Sequence, residues 1–181
     1  QQHSVETVII PKDLARLEAP QELFDTVEQA GLSIDVLINN AGCGIYGKLH
    51  ETPLDRNQQM LMLNIIALSS LTQLFLPNMI AKKAGIIINI ASIAGFFPYP
   101  YLSNYAASKA YVKSFTEALW SEYYSDGIQF LTVCPGSTDT NFFKIAHMKP
   151  SQTMLDTPEQ VVTQALNALN KNKIYIICGR I

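Results

Sequence analysis

Tyr105 and Lys109 stand four residues apart in S-N-Y-A-A-S-K-A, and Ser92 closes the apolar run I-I-I-N-I-A-S upstream. The stretch from Ser103 to Ser125 has no Pro or Gly and carries apolar residues at helical spacing, which predicts one long helix. On a helix, residues i and i+4 share a face one turn apart, so the phenol and the ammonium point into the same space. A tyrosine ordinarily titrates near ~10, and a fixed positive charge beside it lowers that value. Such a phenol comes within range of proton transfer to or from a substrate oxygen. Ser92, at a strand tip, would give the same oxygen a hydrogen bond. Y-x-x-x-K also occurs in ordinary helices, so the rest of the chain has to decide.

Those side chains need elements to hold them. Val5–Ile10 reads as a strand, followed by a helix opening at Pro20 and stopped by Gly31. Ile34–Asn39 reads as the next strand, and the region from Pro53 to Lys83 as one or two helices with a kink or break at Pro77. Gly85–Ala91 is a strand, the Ser103–Ser125 helix follows, and then a strand at Ile128–Cys134 and a long loop. A helix from Pro158 to about Lys171 and a strand at Ile174–Cys178 complete the pattern. Ile/Val/Leu strands alternating with helices describe a doubly wound parallel α/β sheet in a single domain over residues 1–181. In such sheets ligands bind beyond the carboxyl ends of the strands, where Asn39–Gly42, Ser92 and Pro135–Thr140 all fall.

Bulk properties exclude several classes. The 181 residues carry a net charge of −2 with 15% charged, too little basic character for a phosphate-backbone partner. Cys43, Cys134 and Cys178 are odd in number and far apart, without C-x-x-C spacing. No zinc site or disulfide framework is expected, and a reducing, cytoplasmic setting is. The apolar stretch Gln58–Ala81 is interrupted by polar residues and reads as a buried helix rather than a membrane span.

The remaining motifs narrow the reading. N-N-A-G at Asn39–Gly42 offers amides that bridge strand ends and a glycine that lets backbone approach a ligand. P-G-S-T-D-T at Pro135–Thr140 ends a strand in the same way, Asn64 sits within an apolar helix, and Asp13-Leu14 follows the first strand run. Each has an ordinary structural explanation alone: a polar strand end, a turn, a satisfied buried amide. In this order and spacing, from Val5 to Ile181, they resemble the short-chain dehydrogenase/reductase family, with its Rossmann-like fold.

The resemblance implies roles. Tyr105 would be the general acid in carbonyl reduction and the base in alcohol oxidation. Lys109 would lower the Tyr105 pKa and hold the nicotinamide ribose, Ser92 would polarise the substrate oxygen, and Asn64 would anchor a water linking Lys109 to solvent. Asp13 and Leu14 would hold the adenine. Asn40, Ala41 and Gly42 would lie along the adenosine half, and Pro135, Gly136, Thr138 and Thr140 along the nicotinamide carboxamide. The implied cofactor is NAD(P)(H), with a lean to NADP(H), and the implied assembly a homodimer or homotetramer. Pairing would run through the long helices that carry Leu68, Leu71, Phe75, Val112, Phe115 and Leu119, unless these pack within one subunit.

One departure stands beside the match. The family opens with a strand–helix–strand unit whose T-G-x-x-x-G-x-G turn seats a pyrophosphate, and that unit has no counterpart here. Gly42, Gly44 and Gly47 do not replace it, because their spacing is off and no long helix follows directly. A parallel sheet with that gap would leave the first strand without a neighbour, so roughly forty further N-terminal residues are expected.

Gly95–Leu102, G-F-F-P-Y-P-Y-L, is expected to form an apolar wall against substrate, and Phe142, Phe143, Ile145 and Met148 to line the lid. An apolar carbonyl or secondary alcohol fits such walls better than a charged sugar. The main expectation is an oxidoreductase interconverting the two. The alternatives are a relative that epimerises or dehydrates through transient oxidation, and a dinucleotide-sensing regulator without turnover. The first usually appends a larger substrate domain; the second usually lacks Tyr or Lys.

Overall fold

The computed structural model describes residues 5–148 and 155–179. Its centre is a four-stranded, all-parallel sheet in the order β1 (Val36–Asn39), β2 (Gly85–Ile90), β3 (Ile128–Pro135), β4 (Tyr175–Cys178). The register pairs Asn39 with Asn89, Ile88 with Leu131 and Cys134 with Ile177, which brings the carboxyl ends of all four strands to one edge.

Alternation along the strands decides which helices cover which face. Ile87, Phe130 and Ile128 point to the face covered by α3 (Leu68–Lys82) and α4 (Ser103–Glu122), where they meet Leu76, Met79 and Leu119. Ile88, Leu131 and Val133 point the other way, onto Ala165 and Ala168 of α6 (Pro158–Leu169). Helices lie on both faces, as a doubly wound sheet requires. On the α3 side, α1 (Ala19–Gln29) adds Val27 to a cluster with Leu71 and Phe75. Its Pro20 sits in the first turn, where a missing N–H costs nothing.

The strand tips are tied by a buried amide ladder. Asn39 Nδ2 donates to Thr72 Oγ1 (3.1 Å) and to Asn89 Oδ1 (2.8 Å), and Asn89 Nδ2 donates to Thr116 Oγ1 (2.9 Å). This fastens β1 to β2 and both to the helices above them, and it satisfies polar groups that would be costly to bury alone.

Several sequence expectations need correction. Val5–Ile10 is not a strand; it runs as irregular chain with Val5, Val8 and Ile9 exposed, and among the described residues no strand pairs with it. The next strand begins at Val36 rather than Ile34, although Ile34 still packs into the core. The helical run Leu54–Lys82 is continuous and passes through Pro77 without breaking. Its irregularity lies upstream instead, where Met62–Ala67 widens into a π turn between α2 (Leu54–Leu61) and α3. That run is long and apolar enough to cross a membrane by length and composition. Here Leu68, Leu71, Phe75, Leu76 and Met79 are buried against the sheet and α1. Val112 and Leu119 of α4 are buried too, so these apolar residues are spent within the subunit. The α4 helix ends at Glu122, and after a short 3₁₀ turn Gly127 (φ 77°) redirects the chain into β3.

Candidate active site

The carboxyl edge of the sheet opens into a cleft of ≈ 770 Å³. Ser92 reaches it as the residue after β2: it caps a 3₁₀ turn, Ile93–Phe96, accepting the Ala94 N–H on Oγ at 3.2 Å. Tyr105 reaches it from the first turn of α4, and Lys109 from one turn further on. Gly95 makes the approach possible. A Cβ there would stand 2.8 Å from the backbone C and O of Lys109, so the 3₁₀ turn can lie directly on α4 only without one.

Tyr105 is 8% exposed and Lys109 6%. Burial raises the Tyr105 pKa, and a hydrogen bond from Ser92 opposes this without reversing it. The expected acidified phenol is therefore absent from this state: desolvation of the phenolate outweighs its polar neighbours. Lys109 moves instead. Burial pulls its pKa down to about 8, while its Nζ donates to the Ile90 carbonyl oxygen at 2.8 Å and sits 5.8 Å from the Tyr105 ring centroid. The pair retains the expected geometry, with the lysine rather than the tyrosine poised nearer neutrality.

Asn64 lies in the π turn and is 1% exposed. Its Oδ1 accepts the Cys43 N–H (3.0 Å), while its Nδ2 donates to the Cys43 carbonyl (2.9 Å) and to Ser108 Oγ (3.1 Å). Both side-chain N–H groups are spent on protein, so the carboxamide fixes the loop after β1 to α4. These bonds are made from within the π turn, and such turns recur at functional sites. Ser108 in turn donates to the Tyr105 carbonyl at 2.7 Å. Sequence reading passed over Ser108, though it lies inside Y-A-A-S-K, three residues from Tyr105.

Of the expected cofactor residues, Asn40, Gly42, Pro135, Gly136, Thr138 and Thr140 line the cleft with Tyr105 and Lys109. Ala41 lies between two lining residues without lining the cleft itself. Asp13 and Leu14 are elsewhere: the Asp13 carboxylate accepts the Ala15 N–H at 3.0 Å, and Leu14 packs on the Val27–Leu71–Phe75 cluster. Phe142, Phe143, Ile145 and Met148 line the cleft as expected. The aromatic wall is only partly realised. Tyr99 and Leu102 face the cleft, but Phe96 turns away to meet Tyr175 and the Lys113 ammonium, 5.2 Å from its ring centroid. All three cysteines are free thiols, and among the described residues no group of His, Cys, Asp and Glu could hold a metal.

A parallel α/β sheet with a serine, a tyrosine and a lysine converging beyond its strand tips defines a class of dinucleotide-linked dehydrogenases. A family model described as short chain dehydrogenase matches residues 1–150, and the chain belongs to that family. It is 36% identical over 175 residues to a very-long-chain 3-oxoacyl-CoA reductase of Anas platyrhynchos, covering 93% of this chain and 54% of that protein. It is 32% identical to the ketoacyl reductase HetN of a Nostoc species, covering 96% of this chain and 61% of that one. The chain thus spans little more than half the length of these relatives. Among solved structures, a short-chain dehydrogenase from Sphingobium yanoikuyae in complex with NADPH superposes with a TM-score of 0.84 at 27% identity, covering 92% of this chain and 65% of that one.

Proposed function

We propose that this protein is an NAD(P)(H)-dependent oxidoreductase that interconverts a carbonyl and a secondary alcohol on an apolar substrate, with long 3-oxoacyl thioesters the favoured class. The observation that carries the proposal is the convergence of Ser92, Tyr105 and Lys109 on one cleft that Phe142, Phe143, Ile145 and Met148 also line. The names of the 3-oxoacyl and ketoacyl reductase relatives support the substrate class.

The residues present fit a nicotinamide cofactor. A Cβ on Gly42 would stand 3.1 Å from Asn64 Oδ1 and 3.3 Å from Lys109 Nζ, and its absence leaves the amine open to a ligand's hydroxyls. Asn40 and Pro135–Thr140 would hold the cofactor from the two sides of the same edge. NADP(H) is the favoured form, in keeping with the NADPH bound by the Sphingobium relative. The bound cofactor supplies or accepts the hydride.

The chain's own side chains manage the proton. Tyr105, kept protonated at neutral pH by burial, donates from its Oη to the carbonyl oxygen during reduction and takes the proton back during oxidation. Ser92 donates a hydrogen bond to the same oxygen and so favours the charge that develops there. Lys109, with a pKa of about 8, restores the Tyr105 proton. Asn64 acts by positioning the loop of Cys43 against α4. Three free thiols suit a reducing, cytoplasmic compartment, and a homodimer or homotetramer is the proposed assembly.

Tyr105→Phe tests the core of this reading. It should keep cofactor affinity, measured by nucleotide fluorescence, while hydride transfer falls by about 10²–10⁴-fold. Unchanged turnover would remove the phenol from the mechanism.

A further inference from the structure

The short helix α5 (Phe142–Ile145) brings one side chain against the phenol itself. The Phe142 ring centroid lies 5.2 Å from that of Tyr105, with the planes inclined at 46°. Opposite stands Gly44, buried, where an added Cβ would be 2.7 Å from Phe142 Cζ, 3.1 Å from its Cε2 and 3.3 Å from Tyr105 Cδ2. The Phe142 ring therefore occupies the volume that any other residue type at position 44 would need. Backbone bonds hold the two segments in this relation: the Tyr46 N–H donates to the Ala146 carbonyl at 3.2 Å, and the Ala146 N–H to the Phe142 carbonyl at 2.8 Å. Phe143 packs edge-on against the ring at 5.9 Å. Phe142 is only half-buried, and its remaining surface faces the cleft.

We propose that Phe142, seated against Gly44, is the specificity-determining wedge of this site. It narrows the cleft beside the Tyr105 phenol, so that carbonyls with a slim, unbranched substituent on that side reach the phenol and those branched at the adjacent carbon do not. The selectivity rests on the carbonyl-reduction reading above; the seating of the ring does not. Two features separate the wedge from simple lid packing. The ring touches the proton-donating residue itself, and the residue opposite has no side chain to share the space.

The test compares kcat/KM for a straight-chain 3-oxoacyl thioester and its 2-methyl analogue in the purified protein and in Phe142→Ala, Phe142→Leu, Gly44→Ala and the Gly44→Ala/Phe142→Ala double variant. Phe142→Ala should raise the branched-to-straight ratio by about tenfold or more, with Phe142→Leu between. Gly44→Ala should move the ratio the same way, because its methyl displaces the ring, yet change it less than about twofold further when added to Phe142→Ala. Cys43 supplies a readout independent of turnover. It is the half-buried cysteine, packed in the cluster that holds Phe142, while Cys134 and Cys178 are buried. Its alkylation by iodoacetamide should accelerate several-fold in Phe142→Ala, with Cys43→Ser as the labelling control.

A ratio unmoved in Phe142→Leu and Gly44→Ala overturns the wedge, even if melting temperatures fall, since a packing role alone predicts that pattern. If no carbonyl is turned over, the proposed function fails, and protection of Cys43 decides the wedge. The straight thioester should protect better than the branched one in the parent protein, and Phe142→Leu and Gly44→Ala should reduce the difference. Equal protection by both compounds in the parent would overturn it.

Discussion

Burial governs the charge of Lys109 more than any neighbouring group does, and that has a consequence for stability. Its pKa falls from 10.5 to about 8 in the folded protein. Below pH 8 both folded and unfolded chains hold the proton, and the folded chain carries the cost of a desolvated ammonium. Between pH 8 and 10.5 the unfolded chain keeps a proton that the folded chain has lost, so stability rises with pH through that window. The shift corresponds to about 3 kcal/mol. Tyr105, Cys134 and Cys178 are acids with raised pKa values and pull in the opposite direction at alkaline pH, so the lysine must be isolated by difference. Relative to Lys109→Met, the native protein should gain about 3 kcal/mol in urea unfolding from pH 7.5 to 10.5. A difference that stays flat with pH would show that Lys109 is fully charged in the fold. An anion entering the cleft would restore the ammonium, linking ligand binding to proton uptake near pH 8.

At the scale of elements, the site depends on how closely the 3₁₀ turn after β2 lies on α4. Gly95→Ala would place a methyl 2.8 Å from the Lys109 backbone, on atoms of a helix that cannot give way as a flexible side chain would. The turn should lift, carrying Ser92 away from Tyr105. We expect a loss of about 1–3 kcal/mol of stability from this overpacking, with kcat for hydride transfer falling more than cofactor affinity. A Gly95→Ala protein with native melting temperature and native kcat would show that the contact is slack. Much of this arrangement was legible beforehand. Apolar spacing found α4, and the I-I-I-N-I-A-S run found the strand that delivers Ser92. The π turn around Asn64 was not legible, since M-L-M-L-N-I-I-A is an ordinary helical pattern and the partners of the Asn64 carboxamide, Cys43 and Ser108, lie far from it in sequence. Nor was the seat of Phe142 against Gly44, which joins two segments nearly a hundred residues apart.

Across the whole molecule, the sheet is unevenly covered. On the α6 face, Val36 and Ile38 of β1 are 45% and 56% exposed at the end of the strand order. An exposed apolar edge strand is a template for pairing with another chain. The 181-residue chain should therefore associate with rising concentration in light scattering, and Ile38→Lys should suppress that. Association unchanged by Ile38→Lys would locate the contact elsewhere. The same edge explains why Val5–Ile10 misled the sequence reading. Its β-branched residues favour a strand, but propensity alone makes no strand, and among the described residues no strand pairs with it. Two of the paired strands, β1 and β2, are locked at their tips by Asn39, Asn89, Thr72 and Thr116. Since each carboxamide there completes its neighbour's valence, none can be released singly without orphaning the next. The floor beneath the cleft thus opens collectively or stays shut, and its amides should exchange with solvent only when the domain melts.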